Sequence, residues 1–150
     1  WIPFFIFILF LVFKHLGWKK GLFTMLFIAA LITFSDQITN VIRGIFERLR
    51  PNNDPAIKDS LRTLIRPQSF SFTSGHATTS TVITVFLIML LRKHVKAIKF
   101  LIFFPLVFAY SRLYLGVHFP IDILCGFING TVIGYLAYKL YEIISRKIFD

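Results

Sequence analysis

The chain is short of cysteine, of negative charge and of metal-ligand patterns, and each shortage excludes a class of protein. Its one cysteine, Cys125, lies inside an apolar run. That excludes an intrachain disulfide and a cysteine-based metal site. Seven acidic residues stand against 17 basic ones, and charged residues of both signs make up only 16% of the chain. His76 and His118 are far apart in sequence, and no compact histidine–carboxylate cluster has metal-ligand spacing. No metal and no other cofactor is therefore expected. The basic residues form no long tract and do not interleave with aromatics, which argues against nucleic-acid binding.

What the chain does have is hydrocarbon. It is 56% hydrophobic and contains 19 phenylalanines, with a mean hydropathy of +0.72. Soluble domains carry roughly 45–50% apolar residues, so most of these 150 residues belong in lipid. Five apolar runs stand out, with approximate spans 2–16, 21–42, 75–91, 98–115 and 120–141. The first is short against the roughly 20 residues a bilayer requires. Backbone in lipid must satisfy its own hydrogen bonds, so these runs are helices. The expected fold is all-α, a polytopic transmembrane helical bundle. The sequence starts at Trp1 and is already apolar there, so a preceding helix is expected to be missing.

Loop charge orients the spans. Lys14, Lys19 and Lys20 join the first two runs, Arg92, Lys93, Lys96 and Lys99 join the third and fourth, and Arg146 and Lys147 follow the fifth. Alternation puts these three segments on one side, and the positive-inside rule makes it cytoplasmic. The 43–72 loop and the 111–119 turn then share the opposite face. Arg48, Arg62 and Arg66 in that loop are expected to face solvent or anionic lipid headgroups. In the fifth run, Gly126, Gly130 and Gly134 recur every four residues on one helical face. That stripe permits close helix packing within the chain or against a second copy, and the oligomeric state stays open.

Three polar stretches interrupt the apolar pattern, all at the noncytoplasmic face. Arg43 closes the second run, and Arg50-Pro51 follows seven residues later, two turns along the same face if the helix persists. Ser74 is a natural N-cap for a helix opening at Gly75-His76, and the free N–H groups of such an end suit an anion. Ser111-Arg112 closes the fourth run. His118 and Asp122 flank the start of the fifth and share a face if its first turn includes His118. Idle charge is costly in a membrane protein. Arginines suit nonbridging phosphate oxygens, one histidine can attack phosphorus while another protonates the departing oxygen, and a carboxylate can orient the attacking imidazole.

In these residues the chain resembles the type 2 phosphatidic acid phosphatase family. The family's first motif is Lys, six residues, Arg-Pro; here it is Arg43, six residues, Arg50-Pro51. Its second, Pro-Ser-Gly-His, reads Thr73-Ser74-Gly75-His76. Its third, Ser-Arg, five residues, His, three residues, Asp, is matched completely by Ser111, Arg112, His118 and Asp122. The resemblance implies a six-helix membrane fold of which this chain carries spans two to six. It implies His118 as a nucleophile forming a phosphohistidine, Asp122 as its orienter and His76 as general acid. Arg43, Arg50, Ser74, Gly75, Ser111 and Arg112 would hold the phosphate, and no metal is implied. Arg43 for lysine keeps the charge but changes donor geometry, and Thr73 for proline makes the helix entry less rigid.

The implied substrate is a membrane lipid phosphate, with undecaprenyl diphosphate or a broad range of lipid phosphates favoured. Narrower phosphatidylglycerophosphate or lipid A phosphatases and a noncatalytic phospholipid-binding or transport protein are the alternatives. The expected location is a bacterial cytoplasmic (inner) membrane, multi-pass, with the site facing the periplasmic or extracellular side.

Overall fold

The computed structural model describes residues 2–60 and 67–149; Arg62 and Arg66 lie outside these. Four helices carry the fold: α1 (Ile2–Phe46), α2 (Gly75–Leu91), α3 (Phe103–Tyr114) and α4 (Pro120–Phe149). A 3₁₀ segment, Lys96–Ile102, leads into α3. No strand occurs among the described residues, as the all-α expectation required. Three stretches, Ile2–Phe46, Lys96–Tyr114 and Pro120–Phe149, are long and apolar enough to cross a membrane, and α2 is a shorter apolar helix.

The first two apolar runs lie within α1, which is broken at Gly17 (φ 74°, ψ 174°). That left-handed backbone is open to glycine at little steric cost, and here it reverses the chain. In a straight helix Phe5 and Ile32 would be about 40 Å apart; instead they line the same cavity. The arms 2–16 and 18–46 thus pack side by side. At the far end from the polar stretches, His15 and His94 stack with ring centroids 5.3 Å apart.

The buried core joins both arms of α1 to α2 and α4 through Val12, Leu31, Phe86, Leu91 and Tyr141. Tyr141 is satisfied there by the hydroxyl of Thr24 at 2.7 Å. Along α4 the three spaced glycines lie against α2. A Cβ on Gly130 would sit 2.6 Å from the Thr78 carbonyl oxygen, one on Gly134 2.8 Å from that of Val82, and one on Gly126 2.9 Å from the Ala77 Cβ. Two of these obstacles are backbone, which cannot rotate away. Gly130→Ala should therefore force the helices apart and destabilise the protein by roughly 1–3 kcal/mol. Thermal unfolding in detergent reads this out, with exposed Leu136→Ala as the control; an unchanged midpoint for Gly130→Ala would contradict the packing.

Candidate active site

Four chain segments bring the polar stretches to one end of the bundle. Arg43 stands in the last turn of α1 and Arg112 in the last turn of α3, while Gly75 and His76 open α2 and Asp122 lies in the first turn of α4. Ser74 caps α2, its hydroxyl accepting from the Ala77 N–H at 3.4 Å. The Ser74 N–H donates to the Asp122 carbonyl at 3.0 Å, which ties the openings of α2 and α4 together.

At two positions the helical condition set by the sequence is not met. Arg50 does not continue α1. The helix stops at Phe46, Glu47 takes a positive φ of 44°, and Arg50 is extended (φ −74°, ψ 152°). A residue before proline is driven out of the helical region, so Arg50 reaches the site from a loop. His118 likewise precedes α4, whose first residue is Pro120, yet its Nδ1 lies 3.5 Å from Asp122 Oδ2. That is an ion-pair distance, longer than a hydrogen bond, and His118 Nδ1 makes no other hydrogen bond among the described residues, so the carboxylate is the polar group it faces.

Arg50 is held on every side. Nε donates to the Ser69 carbonyl at 2.7 Å, Nη2 to the Ser69 hydroxyl at 3.0 Å, and Nη1 to the Val117 carbonyl at 3.0 Å. Nη1 also lies 3.2 Å from His118 Nε2. A guanidinium only donates, so Nε2 presents its lone pair and the proton sits on Nδ1, toward Asp122. Burial, reinforced by the charge of Arg43, lowers the Arg50 pKa to about 10, and the group remains a cation at neutral pH. His118 is 3% exposed. Its burial pushes the imidazole below its ordinary pKa against the opposing pull of Asp122, which keeps it neutral at pH 7.

Asp122 is fully buried. Its Oδ2 accepts the Phe119 N–H at 2.9 Å, and its Oδ1 pairs with Arg48 Nη1 at 3.2 Å. Arg48 also lies over the Phe119 ring, 4.1 Å from the centroid. This corrects the expectation that Arg48 faces solvent or headgroups. The side chain is 38% exposed, but its charge is committed to the carboxylate beside His118. Nothing in a loop of several arginines marks this one, because the pairing depends on tertiary structure.

A cleft of about 630 Å³ opens among these groups, and Arg43, Arg50, Gly75, His76, Arg112 and His118 all line it. Gly75 is the point of closest approach: a Cβ there would lie 3.0 Å from Arg43 Nη2. Arg43 is braced by the Thr73 carbonyl at 3.2 Å and by Asn40 Oδ1 at 3.4 Å. Three predicted residues stand behind the wall. Asp122 supports His118, and Ser74 caps α2. Ser111 donates to the Phe108 carbonyl at 2.6 Å and accepts from Arg112 Nε at 3.2 Å, so it steadies Arg112 rather than facing the cleft. Sequence reasoning missed Ser69, which grips Arg50, and Asp36 and Asn40, which line the cleft. Among the described residues no three His, Cys, Asp or Glu side chains gather as a metal-ligand group.

The sequence profile of the PAP2 superfamily matches residues 21–146. The chain belongs to the PAP2 superfamily. Over 99% of its length it is 37% identical to a lipid A 4'-phosphatase from Bacteroides thetaiotaomicron, covering 67% of that protein. Over 77% of its length it is 34% identical to phosphatidylglycerophosphatase B of Bacillus subtilis, covering 58% of it. The crystal structure of a transmembrane PAP2-type phosphatidylglycerolphosphate phosphatase from Bacillus subtilis superposes with a TM-score of 0.62 at 27% identity, over 98% of this chain and 69% of that one. The chain thus spans about three-fifths to two-thirds of the length of these curated relatives. Its PAP2 relatives are named phosphatases, and its long apolar helices make it, like them, a membrane protein.

Proposed function

We propose that the chain hydrolyses a phosphate carried on a membrane lipid, without a metal, through a phosphohistidine on His118. The observation that carries this reading is the contact of Arg50 Nη1 with His118 Nε2 at 3.2 Å, which leaves an unprotonated nitrogen aimed among cationic donors. A phosphate entering the cleft takes up the donors of Arg43, Arg50 and Arg112. Arg50 Nη1 turns from Nε2 to a phosphate oxygen, the freed Nε2 lone pair attacks phosphorus, the bond from phosphorus to the leaving oxygen breaks, and His76 protonates that oxygen. Asp122 stabilises the positive ring by accepting from Nδ1–H. His76, now neutral, takes a proton from water; the hydroxide attacks phosphorus, the P–N bond breaks, and inorganic phosphate leaves. The arginines stabilise charge on the equatorial oxygens in both steps.

The same reading puts the protein in a bacterial cytoplasmic membrane with the cleft on the noncytoplasmic side. The short connections that carry Lys14, Lys19 and Lys20 and Arg92, Lys93, Lys96 and Lys99 lie at the other end of the bundle, which supports that orientation by the positive-inside rule although the 43–72 loop is also basic; there they meet anionic headgroups. Five crossings follow if the two arms of α1 each traverse the bilayer. Likeness to lipid A 4'-phosphatase over nearly the whole chain favours a phosphate monoester as the substrate to test first, ahead of undecaprenyl diphosphate.

The test is phosphate release by purified protein from lipid A, phosphatidylglycerophosphate, phosphatidic acid and undecaprenyl diphosphate, with and without chelator. Release from at least one lipid, undiminished by chelator, is expected. Silence on every lipid, or loss of release on chelation, would overturn the reading.

A further inference from the structure

The cleft is layered. At its mouth stand Arg43, Arg50, Gly75, His76, Arg112 and His118. At its base stand Phe5, Ile32, Ile83 and Phe104, and these four also line a second, almost wholly apolar cavity of about 340 Å³. Between the two levels lies a polar belt of Asp36, Asn40, Thr79 and Ser80. Helical rise sets the depth: Asp36 is about 10 Å along α1 from Arg43, and Ser80 about 7 Å along α2 from Gly75.

Asp36 is the unusual member of the belt. It sits in an apolar helix, below the layer of arginines, where an ionised carboxylate is costly and signals function. Its carboxylate is exposed and makes no hydrogen bond or close ion pair among the described residues, and its charge reaches Arg43 only at longer range. The other members are already engaged. Asn40 braces Arg43 at 3.4 Å, Thr79 meets the Ser35 hydroxyl at 3.3 Å, and Ser80 donates to the His76 carbonyl at 2.6 Å. Asp36 therefore offers the free acceptors of this layer, directly beneath the place where a phosphate would sit.

We propose that Asp36 is a specificity-determining residue, which accepts hydrogen bonds from hydroxyl groups on the sugar or polyol that carries the phosphate. This deepens the phosphatase reading and rests on it. A group bonded to a phosphate at the mouth, with its hydrocarbon in the apolar base, must pass the belt. Hydroxyls there find a charged acceptor, and such bonds are roughly twice as strong as neutral ones. The second phosphate of a polyprenyl diphosphate would instead bring negative charge toward the carboxylate. Both effects select a phosphate monoester of a hydroxylated headgroup over a polyprenyl diphosphate.

The experiment compares the full chain with Asp36→Ala and Asp36→Asn on three lipids: lipid A bearing a sugar phosphate monoester, phosphatidic acid, whose diacylglycerol has no free hydroxyl, and undecaprenyl diphosphate. Asp36→Ala is expected to lower kcat/KM on lipid A about tenfold, to leave phosphatidic acid within about twofold, and to raise undecaprenyl diphosphate relative to both. Asp36→Asn keeps an acceptor and removes the charge, so it should retain more lipid A turnover than alanine while gaining on the diphosphate equally. An equal change on all three lipids, or no change, overturns the assignment while leaving the phosphatase reading intact. Failure of the unsubstituted protein on every lipid overturns both.

Discussion

His118→Ala should reduce lipid phosphate release by roughly 10⁴-fold or more. The expected loss is this large because the imidazole supplies the bond to phosphorus, which no neighbour can replace. Asp122 faces away from the cleft, with its oxygens taken by Arg48 and the Phe119 N–H. The substitution should spare the fold. Arg50 loses one of four partners and keeps the Ser69 carbonyl, the Ser69 hydroxyl and the Val117 carbonyl. Phosphate release read beside thermal unfolding separates the two effects. Turnover within tenfold of the unsubstituted protein would remove His118 from the nucleophile's role.

Arg50→Ala should lower kcat/KM by about 10² to 10³, the scale for losing a charged donor that stabilises a developing oxyanion. Arg50→Lys should recover only a small part. Lysine keeps the charge but lacks the planar fork that here spans Ser69, Val117 and His118 at once. Both variants should also lower the thermal midpoint, since Arg50 is 5% exposed and its loss weakens or removes the bond to the carbonyl of buried Val117. Full activity in Arg50→Lys would mean that charge alone suffices, contrary to the bonded geometry.

Much of this site was legible in the sequence because phosphate chemistry demands residue types that an apolar chain otherwise avoids. Arg43, His76, Arg112 and His118 interrupt hydrophobic runs, and helix alternation alone carried them to one end. The helix start at Gly75 was equally legible, since Ser74 is a strong capping residue and it does cap. Local spacing was less informative where the chain leaves the helix. Arg50 and His118 would share helical faces only if the helices reached them; instead each stands on irregular backbone, Arg50 just before Pro51 and His118 two residues before Pro120. The reversal between the first two runs was legible from Lys14, Lys19 and Lys20, which separate them; what was hidden is that helix continues on both sides of Gly17, whose positive φ makes the turn. Arg48 was misread because its partner, Asp122, is 74 residues away. Asp36 carried a visible signal, a carboxylate within an apolar run, but its meaning depends on the cleft wall that three other segments complete.

The most direct test of the phosphohistidine is rapid quenching of the enzyme during turnover of a lipid labelled with ³²P in the scissile phosphate. The account predicts label bound covalently to the protein, stable to base and lost in acid, mapping to His118 and absent from His118→Ala. Steady turnover with no protein-bound label at any quench time, under conditions that preserve phosphohistidine, would contradict it and point to direct attack by water.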